Sequence, residues 1–227
     1  MPSTLFFLIA ATGPALFWLV YFYRKDRFAP EPKRLVMKMY GLGMLSVIPI
    51  LIAYQPFNFV QGMAVPVILA PIIEETGKCL IVLFFIYRHA EFDEPIDGII
   101  YATAVALGFA TIENILYVFN SPTISDRTTV AIARAILSVP GHALFSSIFG
   151  YAIGLAKFST PSLRPLLIFR GLLWAILAHS IFNLAASLNL MGAIGFLVLM
   201  PFLWKKFHAR VEKALCPIPH SSLNHLQ

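Results

Sequence analysis

Hydrophobic positions along the chain come in long continuous runs, and charged or Pro/Asn-rich breaks divide them into seven segments. The first four run Leu5 to Tyr23, Leu35 to Tyr54, Ala64 to Tyr87 and Ile96 to Phe119; the last three run Thr129 to Ala156, Leu166 to Leu188 and Gly192 to Trp204. A hydrocarbon core of roughly 30 Å needs about 20 apolar residues of helix. Six segments meet that length, and the seventh, with 13 residues, would be a short or tilted span or lie partly in the interface. Ten-residue segments of alternating polarity, the mark of a membrane barrel, are absent. The pattern predicts an all-α polytopic membrane bundle of about seven transmembrane helices.

Composition strengthens this reading: 59% of the 227 residues are hydrophobic, 12% are charged, and mean hydropathy is +0.79. Soluble domains do not have such a balance. The connections are too short to hold a soluble domain, so any chemistry must come from the helices. The chain reads as one integral-membrane domain over 1–227, with a functional core at 64–188 and a polar tail at 205–227.

Charge sets the expected orientation. The first connection carries Arg24, Lys25, Arg27, Lys33 and Arg34, the third Arg88, the fifth Lys157 and Arg164, and the tail Lys205, Lys206, Arg210 and Lys213. The connections on the opposite side contribute Arg127 alone. By the positive-inside rule the C-terminus is cytoplasmic and the N-terminus outside. The net charge of +6 is thereby a topology signal rather than a footprint for nucleic acid. The first segment lacks a basic leader and is long enough to span, so it is expected to be a retained helix. Cys79 in the third segment and Cys216 in the tail predict no structural disulfide, and neither CxxC nor zinc-finger spacing occurs.

Polar residues at membrane depth are costly and therefore informative. Lys38 and Arg170 lie near the cytoplasmic ends of their spans and can snorkel. At a rise of about 1.5 Å per residue, Glu74 and Glu75 lie roughly 15 to 17 Å below the outer surface, His179 about 14 Å and His142 about 20 Å. Glu113 and Arg134 form an outer tier at about 9 Å and 8 Å on consecutive antiparallel spans, where they are expected to pair. Within the helices, Glu74 and Lys78 share a face at i,i+4, Glu75 and Lys78 at i,i+3, and His179 and Asn183 at i,i+4. Small residues flank these groups: Gly77, Gly108, Ala110, Gly141, Ala143 and Ala178. They permit close helix approach around a polar interior.

A desolvated glutamate suits a general base that takes a proton from water, and histidine with an asparagine amide can donate to a developing oxyanion. These parts make a minimal hydrolase without a covalent nucleophile. Ser138, Ser146 and Ser180 lie near the histidines, but no GxSxG elbow or Ser/Lys arrangement supports serine catalysis.

The block Glu74-Glu75-Thr76-Gly77-Lys78 resembles the EExxK signature of PrsW-type intramembrane proteases, distant relatives of the CAAX prenyl endopeptidases. Three further blocks agree in order and placement: GFATIEN at Gly108 to Asn114, PGHALFSSIFGYAIGLA at Pro140 to Ala156, and AHSIFN at Ala178 to Asn183. The resemblance covers most of Pro66 to Asn183. It implies a glutamic-type protease of the bacterial cytoplasmic membrane that cuts single-pass membrane proteins, anti-sigma factors being the best-known substrates. Glu74 with His142 would activate water, and His179 with Asn183 would form the oxyanion site. Glu75 and Lys78 would orient and tune the base, while Glu113 and Asn114 match a block of structural or substrate-positioning character. The match departs from the CAAX-type FxxxH motif, since Ser138 stands where Phe is expected four residues before His142.

Other readings use the same residues. Glu74, Glu75 and Lys78 can serve as a buried ionic cluster that fixes helix packing, and single buried histidines are commonly hydrogen-bonded core residues. Midplane carboxylates and histidines also build proton or cation pathways in transporters, although no inverted repeat or paired broken helix is visible. Two Glu and two His can ligate zinc, but HExxH is absent and the related endopeptidases imply no metal. A seven-span receptor lacks outer loops of useful size. His208, His220 and His225 sit in the polar tail, and the aromatic residues are expected to be mainly lipid-facing or interfacial.

Overall fold

The computed structural model describes residues 4–57 and 59–215, the side chains of 189–194 excepted. Cys216, His220 and His225 lie outside the described residues. Every regular element described is helical. The helices are α1 (Thr4–Tyr23), α2 (Lys33–Leu45), α3 (Val47–Tyr54), α4 (Ala70–Phe85), α5 (Pro95–Asn120), α6 (Ile124–Ala133), α7 (Val139–Lys157), α8 (Arg164–Ala186) and α9 (Asn189–Leu215). Among the described residues, five stretches are long and apolar enough to cross a membrane: Thr4–Tyr23, Lys33–Phe57, Pro95–Asn120, Ile124–Lys157 and Arg164–Ala186. The third predicted segment is a π-helical turn, Val65–Leu69, running into the 16-residue α4. The seventh is the start of α9, which continues as helix through the predicted polar tail to Leu215, with Phe207, Val211 and Ala214 buried.

α5 and α7 form the axis of the bundle. Every residue from Ile96 to Thr111 and from Ser138 to Gly150 is buried, and the two helices pack along each other. Glycines set that distance: a Cβ built on Gly98 would stand 2.2 Å from the Gly150 carbonyl oxygen, and one on Gly154 2.1 Å from that of Pro95. Gly150 and Gly154 are a GxxxG pair of the kind that lets membrane helices meet backbone to backbone. Gly43 on α2 against Val105, and Gly108 on α5 against Tyr40, repeat the device on the other side of α5. Around this axis α1 and α2 pack on α5, α8 on α7, and α4 inserts between α8, α5 and α7.

Prolines shape the backbone beside the polar residues. Each of the π-helical turns, Val65–Leu69 and Arg134–Ser138, stops two residues before a proline, Pro71 and Pro140. Proline has no N–H and its ring crowds the carbonyl four residues back. A widened turn relieves that crowding, and the N–H groups of Ala70 and Val139 bond five residues back, to Val65 and Arg134. One extra residue in a turn rotates the downstream helix by about 100°, which re-aims Glu74 on α4 and His142 on α7.

Many aromatic residues depart from the expected lipid-facing bulk, Tyr101, Phe109, Phe145 and Phe149 being buried in the bundle, and one group joins its first and last helices. Phe22 on α1 stacks on Trp204 of α9 at 5.8 Å and meets Phe207 edge-on at 4.9 Å, while Trp18 lies 5.3 Å from Trp204. Phe22 and Phe207 are buried, so the first and last helices are joined through an aromatic cluster.

Gly98→Ala should lower stability by roughly 2–3 kcal/mol, since the new methyl meets backbone and not a movable side chain. Gly13→Ala, where a Cβ meets nothing within 4 Å, should cause no loss. Thermal unfolding in detergent micelles checks the contrast.

Candidate active site

α4 presents its acidic and basic residues along one face because Glu74, Glu75 and Lys78 fall within a single helical turn. All three are buried, and Glu75 and Lys78 have no exposed surface. Lys78 Nζ donates to Glu75 Oε1 at 2.5 Å, the same oxygen accepts from His179 Nδ1 at 2.9 Å, and the Ser146 hydroxyl donates to Oε2 at 2.8 Å. Glu75 thus links α4 to α7 and α8 and is fully engaged. The aromatic face of Phe109 lies 4.8 Å from the Lys78 ammonium and the Phe145 ring stacks on His179 at 4.9 Å. These rings exclude water behind the polar groups.

Glu74 is held differently. Its Oε1 accepts from the Tyr54 hydroxyl at 3.0 Å, whereas Oε2 is buried without a hydrogen-bond partner and lies 4.0 Å from His179 Nε2. A carboxylate only accepts, so the Nδ1 of His179 bears the proton shared with Glu75, and Nε2 is the atom turned toward Glu74. His142 is set in the same manner: Nε2 lies 2.8 Å from Glu113 Oε2, and Nδ1 lies 3.4 Å from Lys78 Nζ. The two imidazoles meet edge to face with centroids 5.1 Å apart.

Arg134 pairs with Glu113 through its guanidinium and donates from Nε to Asn114 Oδ1 at 2.6 Å. Asn114 in turn donates to the Ala11 carbonyl at 3.3 Å, which ties the site to α1. Glu113 and Arg134 therefore meet, as expected of the outer tier. They are not a separate layer, however, because Glu113 also holds His142. Asn183 donates to the Pro66 carbonyl at 2.7 Å, leaving its second amide N–H.

A cavity of about 430 Å³ opens onto these groups, lined among others by Glu74, Glu113, Arg134, His142, His179 and Asn183. Glu75 and Lys78 do not line it. Sequence reasoning missed Tyr54, grouped with the interfacial aromatics, and Tyr117, which lines the cavity and packs 4.1 Å under the Arg134 guanidinium. No signal in the chain marks Tyr54, since its partner Glu74 is 20 residues away on another helix. Pro71 and Pro140 do carry a signal, because prolines inside apolar runs mark the widened turns beside the site. Ser146 was visible as a serine near the histidines, and its place is behind Glu75.

Glu74, His142 and His179 each offer an atom, all within 4.8 Å of one another, in a donor set of two imidazoles and one carboxylate. That set is one used by catalytic zinc sites. Glu75 backs His179 at Nδ1 and Glu113 backs His142 at Nε2, as carboxylates commonly back ligating histidines, while the other nitrogen of His142 faces the Lys78 ammonium. With the unpartnered Glu74 Oε2, the residues fit a divalent metal.

The structure is thus an apolar helical bundle with buried carboxylates and histidines gathered on one cavity. A model described as "PrsW family intramembrane metalloprotease" matches residues 31–205. Among similar proteins, Protease PrsW of Geobacillus kaustophilus is 42% identical over 165 residues, covering 70% of this chain and 71% of its own. Protease PrsW of Bacillus subtilis is 35% identical over 199 residues (86% and 89%), and that of Clostridioides difficile 35% over 216 residues (91% and 90%). No solved structure matches the chain. The chain belongs to the PrsW family of intramembrane proteases, and it is a multi-pass membrane peptidase.

Removing one partner from a buried ion pair strands the other charge, so Glu75→Gln should cost roughly 3–5 kcal/mol. Glu74→Gln, whose Oε2 has no partner to lose, should leave thermal stability within about 1 kcal/mol of the parent. Unfolding of both variants in the same detergent separates the two glutamates by role.

Proposed function

We propose that the chain is an endopeptidase of the bacterial cytoplasmic membrane that hydrolyses peptide bonds of single-pass membrane proteins, of the anti-sigma-factor type, with water activated at Glu74. One observation carries this reading: Glu74 lines the cavity together with His179 and His142 and keeps a buried carboxylate oxygen without a hydrogen-bond partner. The orientation that fits has seven spans, an outer N-terminus and a cytoplasmic C-terminus, which places the cavity toward the outer half of the bilayer.

In this reading Glu74 Oε2 accepts a proton from a water held against His142 and His179, and the oxygen adds to the scissile carbonyl carbon. The free N–H of Asn183 donates to the oxyanion, and His179 donates from Nε2 when that nitrogen bears a second proton. Collapse of the tetrahedral intermediate breaks the C–N bond, and the proton on Glu74 passes to the departing amine. Glu75 keeps His179 oriented, Glu113 with Arg134 and Asn114 keeps His142 oriented, and Lys78 offsets the charge of Glu75. Each of these is a positioning residue.

The family description favours a second form of the same reaction. Glu74, His142 and His179 are the residues that would hold a metal, and a bound zinc ion would supply Lewis-acid polarisation and a more acidic water. Glu74 is indispensable in both forms, as base or as ligand.

Glu74→Gln should reduce cleavage of a single-pass substrate in proteoliposomes by at least about 10³-fold, as expected when a general base or a ligand is lost. Retention of full activity in that variant would end the assignment, and proton-coupled flux without proteolysis would move the reading to a transporter. Dialysis against a chelator should leave activity intact if Glu74 acts as the base. Loss of activity that zinc restores would assign the metal form.

Tyr54→Phe should lower kcat roughly 5- to 50-fold with the fold retained, because the variant leaves both oxygens of Glu74 without a protein donor. Single-turnover cleavage of the same substrate measures it.

A further inference from the structure

A second cluster of buried acids lies at the other end of the bundle. Asp26 and Glu31, from the connection between α1 and α2, meet Asp97 in the first turn of α5. Asp97 precedes Glu113 on α5 by 16 residues, or about 24 Å of helix, so the cluster is separate from the catalytic cavity. The three residues are 2%, 3% and 1% exposed, and one carboxylate oxygen from each lies within 4.8 Å of the others.

Backbone N–H groups and one hydroxyl supply the donors to the cluster: the N–H groups of Phe28 and Glu31 also face the Asp26 carboxylate, Asp97 forms a capping box with Glu94, and the carboxyls of Glu31 and Asp97 meet each other. Asp26 Oδ1 accepts from the Ala29 N–H at 3.4 Å, and Tyr101 donates its hydroxyl to Glu31. Asp97 Oδ2 accepts the N–H groups of Asp93 and Glu94 at 2.8 and 2.6 Å. Asp26 Oδ2 is buried and has no partner. Among the described residues none of the three forms a salt bridge with a lysine, arginine or histidine. Lys157, close enough to feel the charge of Asp97, instead donates its ammonium to the carbonyls of Tyr87 and His89 at 2.5 and 3.4 Å. Asp93 and Glu94 add further negative charge at the same place. Buried carboxylates without a countercharge are too costly to persist, so the cluster must take up positive charge.

We propose that Asp26, Glu31 and Asp97 form a binding site for a hard divalent cation, of the Mg²⁺ or Ca²⁺ class, that fastens the α1–α2 connection to the start of α5. An all-oxygen donor set selects hard cations over those that prefer nitrogen or sulfur. The 4.8 Å limit equals about twice a Ca–O distance of about 2.4 Å, so one ion can touch an oxygen of each residue. Asp26 Oδ2, buried without a hydrogen-bond partner, is an acceptor with capacity left for it. A proton is the competing occupant, because burial raises the carboxyls of Asp26 and Glu31 above their ordinary values.

The test uses the full chain in detergent, stripped of metal with a chelator and then titrated with MgCl₂ or CaCl₂ while thermal unfolding is followed. The wild-type Tm should rise saturably, by about 5 °C or more at a hundredfold excess over the dissociation constant. The ion giving the larger rise identifies the class member. Asp26→Asn and Glu31→Gln should each abolish the rise while leaving the chamber intact. If Asp26→Asn does not fold, Glu31→Gln alone decides. No rise in the wild type, an equal rise in both variants, or stabilisation by acid with no response to either cation would overturn the site.

Discussion

The buried Glu75–Lys78 pair is the interaction on which the site depends. Neither charge could remain in a membrane bundle alone. Together they neutralise each other and keep acceptor and donor capacity for neighbours on other helices. Glu75 uses that capacity on His179 and Ser146, and Lys78 lies against His142. One helical turn of α4 therefore sets the positions of both histidines. Because Glu75 is engaged, Glu74 next to it is left as the carboxylate with an unused oxygen.

Such a pair needs a backbone that brings four helices within side-chain reach. The glycines of α5 and α7 supply the close approach, and the π-helical turns before Pro71 and Pro140 aim the polar faces into one space. Glu113, Arg134 and Asn114 extend the site by carrying hydrogen bonds from His142 to α1. A continuous polar network satisfies its members in low dielectric more fully than isolated pairs.

Both ends of α5 gather carboxylates, but in different settings. Near its C-terminal half, Glu113 has Arg134 and His142 as partners. At its N-terminus, Asp97 faces Asp26 and Glu31 with no cationic side chain paired to them among the described residues. The first set is neutralised within the protein, whereas the second has no paired cationic side chain among the described residues, which is what the proposed cation site rests on.

Much of this was legible from residue order. Long apolar runs require helices in a bilayer, and the spacing of Glu74, Glu75 and Lys78 requires one shared face, because both follow from the chain's local geometry. Depth counting put Glu74, Glu75, His142 and His179 near one level and Glu113 near Arg134, helical spacing joined Asn183 to His179, and the family resemblance added Asn114. Other features depend on how helices rotate and which distant residues meet. Tyr54 is 20 residues from Glu74, and Glu113 is 29 from His142. The aromatic contact of α1 with α9, and the meeting of Asp26 and Glu31 with Asp97, span longer stretches still. Sequence by itself determined that the chain folds as apolar helices carrying a few ionisable residues on shared faces, since that is a matter of length, polarity and helical period. Only the tertiary structure decided which glutamate faces the cavity, because the answer turns on which carboxylate the neighbouring helices have already satisfied.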